Sequence, residues 1–435
     1  MGVLHIASGE GIHWLHLITI PIFTGVIGWL INWSGVIMLF NPVRFHGFTI
    51  PGLRAVSTLL PRKLQEVPGI MQGGVGWQGI VPARAAKMGS IATDKAIAKL
   101  GTPAEFYQQL EPDQIANHIV TMFEPEIPGI VDRVMTREHP QLWADVPPAV
   151  RAGVYDRVRQ QLPTIVKQIT DEIGEHIDQL LDPKIMIIDH FEKHPALVNR
   201  IFKDVGQREL NLMVNFGALF GFVLGIPVAL MDFTFHQWWL LPILGVIVGW
   251  TTNLLGMSLI FEPVEEKRVW GIKLHGLFLR RQNEVADVYA GIIADDVVTL
   301  ENIGNFLLNG PRGDRTRQML VEAMGPAIDR AAGPLRGAVR VAVGGREYDA
   351  IRRSVAEESV GFTMAPFQDP EFSKRQAKRI EALIAARTRE MPPSDFVEML
   401  RSAIKEDEWM LYVHGAVMGA AGGAIHLAIF GTYAA

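Results

Sequence analysis

Four long apolar stretches without any charged residue constrain this chain more than any other feature of its sequence. The stretches cover residues 12–40, 212–231, 238–261 and 409–430. Each is long enough to cross a hydrocarbon core of roughly 30 Å as a helix of about 20 residues. Trp14, Trp238 and Trp409 lie near the ends of stretches, where interfacial aromatic residues concentrate. A buried helix of a soluble protein is the alternative for any one stretch, but the four together predict transmembrane helices.

The overall composition agrees with a membrane protein that also has large water-exposed parts. Of its 435 residues, 49% are hydrophobic and 20% are charged. The net charge of −5 provides no bulk attraction for nucleic acid, which we exclude as a partner. The chain has no cysteine, which excludes disulfides, thiolate nucleophiles and cysteine-based metal sites.

Basic residues follow only two of the four stretches, and this asymmetry predicts the orientation. Lys and Arg residues occur soon after the first and third stretches, whereas residues 1–17, 232–237 and 431–435 contain none. The positive-inside rule therefore predicts that both termini lie outside the cell. It also predicts that the two polar regions, residues 43–210 and 263–408, are cytoplasmic.

The chain repeats itself. "PIFTGVIGWLINWSGVIMLFNPV" at 21–43 aligns without gaps to "PILGVIVGWTTNLLGMSLIFEPV" at 242–264, and "GALFGFVLG" at 217–225 parallels "GAVMGAAGG" at 415–423. We predict repeat A over 12–231 and repeat B over 237–430. Both cross the membrane in the same direction, so the repeats are parallel and related by a pseudo-two-fold axis along the membrane normal.

Glycines recur at every fourth position in the closing helix of each repeat. Small residues at this spacing allow helix backbones to approach closely in lipid. We expect these glycines to pack within the chain, with contact between subunits as the alternative. They are Gly217, Gly221, Gly225, Gly415, Gly419 and Gly423.

The sequence pattern of the two polar regions predicts mainly helices. An apolar stripe with helical spacing runs through residues 162–181, and residues 374–391 form a basic amphipathic pattern. Alternation in "RVWGIKLHGLFLRR" and a Gly- and Pro-rich stretch at 51–79 predict small β elements at the membrane neck. The expected fold is therefore an all-α membrane protein with about four transmembrane helices in two parallel repeats.

Several of these segments resemble a known family. "GWTTNLLGMSLIFEP", "FLRRQNEVADVYAGIIA", "VGQRELNLMVNFGALFGFVLG" and "DEWMLYVHGAVMGAAGG" are similar to the domain-of-unknown-function 445 (DUF445) family of bacterial membrane proteins. The resemblance spans nearly the whole chain and implies a multi-pass protein of the bacterial inner (cytoplasmic) membrane with a duplicated architecture. It implies no activity and no catalytic residues. The first repeat departs from the second at "WLIN" and in its longer neck.

Motifs for enzymatic chemistry are weak. "GVGWQG" at 74–79 fits a dinucleotide pattern, but the nearby prolines disfavour the strand and helix that such a site requires. "HFEKH" at 190–194 matches no zinc-binding helix and is interpreted as a helix end. Histidines expected on the outer face, including His13, His16 and His426, leave a metal site open as an alternative. We predict no metal, no cofactor and no catalytic residue.

Two sets of polar residues are candidate sites. Asn32 and Asn253 occupy matching positions in the first and third stretches, where each either bonds a neighbouring helix or contacts a lipid headgroup or solute. Arg84, Arg280 and Arg281 lie at the neck, where they either bind anionic lipid or only satisfy the positive-inside rule.

The sequence predicts a non-enzymatic membrane-anchored scaffold that forms homo-oligomers or binds envelope proteins and engages anionic phospholipid. The alternative is a lipid or small-solute transporter that uses Asn32 and Asn253 at the repeat interface. As delimited, the four stretches contain no acidic residue, which disfavours proton coupling. A membrane hydrolase built on Asp295 and Asp296, or on the histidines, is a third hypothesis without a supporting motif.

Overall fold

The computed structural model describes residues 9–430 except 236, 266, 270–271, 275, 333–343, 363–366 and 368. His5 and His236, two further histidines expected on the outer face, lie outside the described residues. In chain order the helices are α1 (Gly9–Phe40), α2 (Leu53–Ser57), α3 (Arg62–Gln65), α4 (Pro68–Met71), α5 (Ile80–Ala83), α6 (Ala85–Leu100), α7 (Pro103–Gln109), α8 (Pro112–Phe123), α9 (Ile127–Glu138), α10 (Pro140–Asp145), α11 (Pro148–Leu180), α12 (Pro183–Lys193), α13 (Pro195–Phe235), α14 (Leu240–Phe261), α15 (Leu277–Arg280), α16 (Gln282–Ile292), α17 (Leu300–Asn309), α18 (Gly313–Ala332), α19 (Gly345–Phe362), α20 (Pro370–Glu390), α21 (Pro393–Lys405) and α22 (Glu408–Phe430).

Four short strands accompany these helices. Strand β1 (His46–Thr49) pairs antiparallel with β2 (Gly74–Trp77), and β3 (Lys267–Val269) pairs antiparallel with β4 (Ile272–Leu274). The second pair lies in the alternating segment expected to form a hairpin. The following "LFLR" forms α15 instead of continuing the hairpin.

Four helices are long and apolar enough to cross a membrane, as expected from the sequence: Leu15–Phe40, Pro195–Phe235, Leu240–Phe261 and Glu408–Phe430. The protein is therefore an all-α membrane protein. Helix α13 differs from expectation because it is one continuous helix of 41 residues. At 1.5 Å per residue it is about 60 Å long, roughly twice the thickness of the hydrocarbon core. The predicted border near residue 211, between polar region and span, therefore lies inside a helix.

The chain divides into two compact units. The membrane unit contains α1, α13, α14 and α22 together with the strands. Its largest helix contacts are α1 with α13 and α14 with α22, and contacts of α13 with α14 and of α1 with α22 complete a four-helix bundle. Ile20, Val228 and Leu244 belong to one apolar cluster inside this bundle.

The helical unit is formed by residues 96–187 and 289–387. Its central element is α11, a helix of 33 residues that carries the predicted apolar stripe and contacts α7, α8, α9 and α18. Thr102 and Thr299 cap α7 and α17, because each side chain accepts a hydrogen bond from a backbone N–H three residues later. Ile177, Leu180 and Leu307 form part of the apolar core.

Candidate functional site

Asn32 and Asn253 each join two helices of the membrane unit. Asn32 Nδ2 donates to the carbonyl oxygen of Met213 in α13 (2.7 Å), and Asn253 Nδ2 donates to the carbonyl oxygen of Leu411 in α22 (2.5 Å). Both side chains are buried. Because lipid offers no hydrogen-bond partners, an amide inside a bundle gains most from a protein carbonyl. The two amides therefore hold α1 to α13 and α14 to α22, and contact with a solute stays a prediction.

The six predicted glycines face the partner helix of the same pair. A Cβ atom on Gly217 would collide with the carbonyl oxygen of Gly28, and one on Gly415 with that of Gly249. A Cβ atom on Gly221 would meet the carbonyl oxygen of Thr24 in α1, and one on Gly225 would meet the hydroxyl group of the same threonine. Gly419 and Gly423 likewise face carbonyl oxygens of α14. The backbones are thus in contact within the chain, so these glycine faces are already occupied without a second subunit.

Arg84 is enclosed between two carboxylates. Its Nη2 lies 2.9 Å from Asp407 Oδ1 and 3.2 Å from Glu66 Oε2, and its side chain is 4% exposed. Nη2 also donates to the backbone oxygen of Glu66 (2.8 Å). Burial raises the pKa of the Asp407 carboxyl to about 6, although Arg84 and Lys87 act in the opposite direction. The guanidinium of Arg84 is thus bound by groups of the protein itself.

Arg281 has an analogous environment. Its Nη1 donates to Glu209 Oε1 in α13 (2.7 Å) and its Nε donates to Glu284 Oε2 (2.7 Å). Hydrogen bonds to Glu284 and then to Glu209 raise the pKa of this guanidinium, whereas its desolvation lowers it. Arg280 is exposed. Of the three arginines predicted to bind lipid, only Arg280 therefore presents its side chain mainly to the surroundings.

The two arginine–carboxylate pairs exchange partners between the halves of the chain. Arg84 precedes α13 and pairs with Asp407, just before α22, while Arg281 follows α14 and pairs with Glu209 in α13. The sequence contains a signal for this exchange, since aligning Gly217 with Gly415 also aligns Glu209 with Asp407. Sequence reasoning missed it because neither carboxylate was examined as a partner.

A buried ionisable cluster occupies the other end of the bundle. His16 Nδ1 lies 2.9 Å from Asp232 Oδ2, and both side chains are fully buried. The His426 ring packs edge-on against that of His16 with centroids 5.1 Å apart, and Thr19 Oγ1 lies 3.1 Å from His426 Nε2. Ionisable side chains inside membrane helices are costly and commonly mark functional sites.

The expectation of spans without acidic residues is therefore wrong for α13. The apolar stretch ends at Met231, but the helix continues to Phe235 and includes Asp232 in the candidate span. Pairing with His16 makes an acid tolerable there, because a buried charge is stabilised by an opposite charge or a hydrogen bond. The signal was an acid directly after an apolar run.

The remaining chemical motifs lie in regular secondary structure or at a helix end in the described part of the chain. The segment "GVGW" of the glycine-rich motif is strand β2. His190 and His194 have ring centroids 4.6 Å apart at the end of α12 and just beyond it. Among the residues that the structure describes, no group of three or more His, Cys, Asp or Glu side chains is placed to hold a metal ion.

No protein-family model matches the chain, and no curated protein matches it significantly. The resemblance to the DUF445 family stays a prediction from the quoted motifs.

Proposed function

We propose that this chain is a non-enzymatic protein of the bacterial inner membrane, a scaffold anchored by two parallel repeats and assembled as a homo-oligomer. The observation that carries the proposal is the matched set of helix contacts in the two halves. The Asn32 bond to Met213 has its counterpart in the Asn253 bond to Leu411, at equivalent aligned positions. Polar groups that bridge helices in this way serve an anchor rather than a solute path.

Further contacts support the duplication. Lys203 lies over the ring of Phe40 (5.3 Å), and Arg401 lies over the ring of Phe261 (5.4 Å), again at equivalent positions. The exchanged pairs of Arg84 and Arg281 then join repeat A to repeat B. A helix pair from one repeat would leave its carboxylate without the arginine that the other repeat supplies. Both repeats are therefore required for one stable anchor.

The orientation is part of the proposal. Basic residues after α1 and α14 support a cytoplasmic position for the helical unit and outer positions for both termini. Engagement of anionic phospholipid at the neck depends mainly on Arg280, because its side chain is the most exposed of the three, whereas the Arg84 side chain is 4% exposed and that of Arg281 20%. Envelope proteins remain proposed partners of the helical unit.

The test is a subunit count on the protein in lipid nanodiscs, by native mass spectrometry. We expect more than one copy per assembly, with anionic phospholipid retained. Arg280→Gln should reduce retained lipid without changing the subunit count, and Arg317→Gln on the helical unit is the matched control. Monomers at every protein concentration and lipid composition would remove the oligomeric scaffold.

The buried cluster of His16, Asp232 and His426 favours a second candidate, a proton-coupled transporter. This candidate shifts the site of the transport hypothesis from the two asparagines to the ionisable cluster. Proteoliposomes with an internal pH dye provide the test. Transport predicts dissipation of an imposed pH gradient that Asp232→Asn abolishes and Asn253→Leu only weakens. No dissipation by the wild-type protein would exclude proton coupling.

A further inference from the structure

A large apolar chamber lies inside the helical unit. Its volume is about 770 Å³, within the range of roughly 300–1,000 Å³ for small-molecule sites. Helices α8, α9, α11, α17 and α18 supply most of its wall, with side chains such as Ile119, Val134, Ile169, Ile303 and Leu320. The wall is made almost entirely of Ile, Leu, Val, Met and aromatic side chains.

The chamber is partly open to its surroundings, and Leu142 and Val150 of its wall are exposed. Folded proteins rarely leave a large contiguous apolar surface open, and such surfaces commonly mark ligand-binding grooves or interaction sites. Small-molecule sites are typically concave and mainly apolar. The chamber is therefore best explained as the site of an apolar ligand.

The polar groups in the wall are mostly used by the protein itself. Tyr107 Oη donates to the carbonyl oxygen of Thr170 (2.7 Å), and Tyr348 Oη donates to Asp329 Oδ1 (2.9 Å). The hydroxyl groups of Thr170 and Thr316 donate to carbonyl oxygens of their own helices. The chamber thus offers little to a ligand rich in hydroxyl or amide groups.

Arg157 is the exception. It is the one charged side chain among the described residues of the wall, it lies on α11, and it is half-buried. No carboxylate of the described residues forms an ion pair with it, in contrast to Arg159, two residues further along α11, which pairs with Asp156 and Glu124. A guanidinium binds a carboxylate through two parallel hydrogen bonds. One cation beside an apolar chamber fits an amphiphile with one negative charge.

We propose that the chamber binds a long-chain fatty acid, with the acyl chain among the apolar side chains and the carboxylate on Arg157. This inference goes beyond the scaffold role and does not depend on the number of subunits. Each methylene that enters the chamber should strengthen binding by up to about fourfold. Affinity should therefore increase from decanoate to hexadecanoate.

The experiment is photocrosslinking of the full-length protein in phospholipid nanodiscs with hexadecanoate that carries a diazirine near the chain end. Peptide mapping should locate adducts on chamber residues of α8, α9, α11 or α17, and unlabelled hexadecanoate should compete. Neutral hexadecanol should compete at least about tenfold more weakly, because it forms no ion pair with Arg157. Adducts confined to α1, α13, α14 and α22 would mean partition into the membrane only and would overturn the proposal.

Two variants separate the carboxylate contact from folding. Arg157→Gln should lower chamber labelling at least about tenfold and make hexadecanoate and hexadecanol compete equally. Arg159→Gln, on the same helix but outside the chamber, is the matched control and should label like wild type. Equal labelling of wild type and Arg157→Gln would reject the carboxylate contact.

A phospholipid ligand is the remaining competitor. Phosphatidylglycerol with a diazirine in one acyl chain tests it in the same nanodiscs. Chamber adducts that excess hexadecanoate cannot displace would overturn the fatty-acid assignment. Displacement by hexadecanoate would support it.

Discussion

The membrane unit and the helical unit are both built from helices, but they pack in opposite ways. In the membrane unit a cavity beside the glycine contacts has a volume of about 30 Å³, whereas the chamber of the helical unit has about 770 Å³. Lipid gives apolar side chains no drive to associate, so helices there are held by close backbone approach and hydrogen bonds. In water, burial of apolar side chains provides the drive instead. The helices of the membrane unit are thus held by close backbone contacts, whereas those of the helical unit leave a large space between them.

The largest effect should come from adding a methyl group at a backbone contact. Gly249→Ala places a Cβ against the carbonyl oxygen of Gly415 and should cost about 3–5 kcal/mol, the range of severe single substitutions. Gly153→Ala in α11 is the matched control, since nothing lies within 4 Å of its added Cβ. It should stabilise its helix by about 0.5–1 kcal/mol. Hydrogen exchange in nanodiscs measures the stability change of both variants. Equal loss of protection in the two would contradict the difference in packing between the units.

The next largest effect should come from the exchanged arginine pairs. Arg84→Gln leaves Asp407 buried without its cation and should cost about 3 kcal/mol or more. Lys87→Gln is the control, because its side chain is 36% exposed and its ion pairs contribute under about 1 kcal/mol. Thermal unfolding in nanodiscs gives both values. A loss no larger for Arg84→Gln than for Lys87→Gln would contradict the structural role of the pair.

The Arg84 variant also has a predictable pH dependence. Burial raises the pKa of Asp407 above its value in the unfolded chain, so the folded state binds its proton more tightly. The stability that this proton contributes is fully present below the pKa of Asp407 in the unfolded chain. It is lost as pH rises through about 6. Without Arg84 the raised pKa moves higher, so the variant should be least stable above neutral pH. Unfolding temperatures measured at about pH 5 and about pH 8 should differ more for Arg84→Gln than for wild type.

A smaller effect is expected at the membrane asparagines. Asn32→Leu and Asn253→Leu each remove one amide-to-carbonyl hydrogen bond and should each cost about 1 kcal/mol. Because the two bonds join different helix pairs, the double variant should lose about the sum. Steric trapping in bilayers measures these losses. Strong non-additivity would show that the helix pairs are energetically coupled.

The smallest effect should come from filling the chamber. Val158→Ile adds one methylene to the wall and should change stability by less than about 0.5 kcal/mol, because space is present. Ala229→Val in the tightly packed bundle should cost about 1–3 kcal/mol by overpacking, because the Ala229 side chain is 1% exposed. Hydrogen exchange around each site compares them. A larger cost at Val158 than at Ala229 would contradict the distinction between the units.

The four membrane helices were predictable because charge-free stretches are a direct signature of the lipid solvent. Asp232 was missed because hydropathy ends a span at its first charge, whereas a helix ends where its backbone hydrogen bonds end. His16 lies on another helix, and no local pattern reveals that the two side chains meet.

The chamber illustrates a different limit of prediction. Leu162, Ile165, Ile169 and Ile173 form a stripe with helical spacing, which correctly predicts an amphipathic helix. The same stripe is expected whether the facing helices fill the space or leave it open. Only the positions of α8, α9 and α17 decide between a packed core and a chamber. Free volume is a property of several helices together, and one helix carries no signal for it.

The exchanged arginine pairs have a consequence for how such a chain arises. In a symmetric dimer, each subunit contributes to its partner the same group that the partner contributes to it. The pairs of Arg84 with Asp407 and of Arg281 with Glu209 follow this pattern between the two halves of the chain. Under the repeat proposal, a gene fusion would join the two subunits of such a dimer into one chain. Each chain then contains one copy of each half. Fusion also lets the halves differ: where one half has His16 and Asp232, the aligned positions of the other hold Gln237 and Phe430.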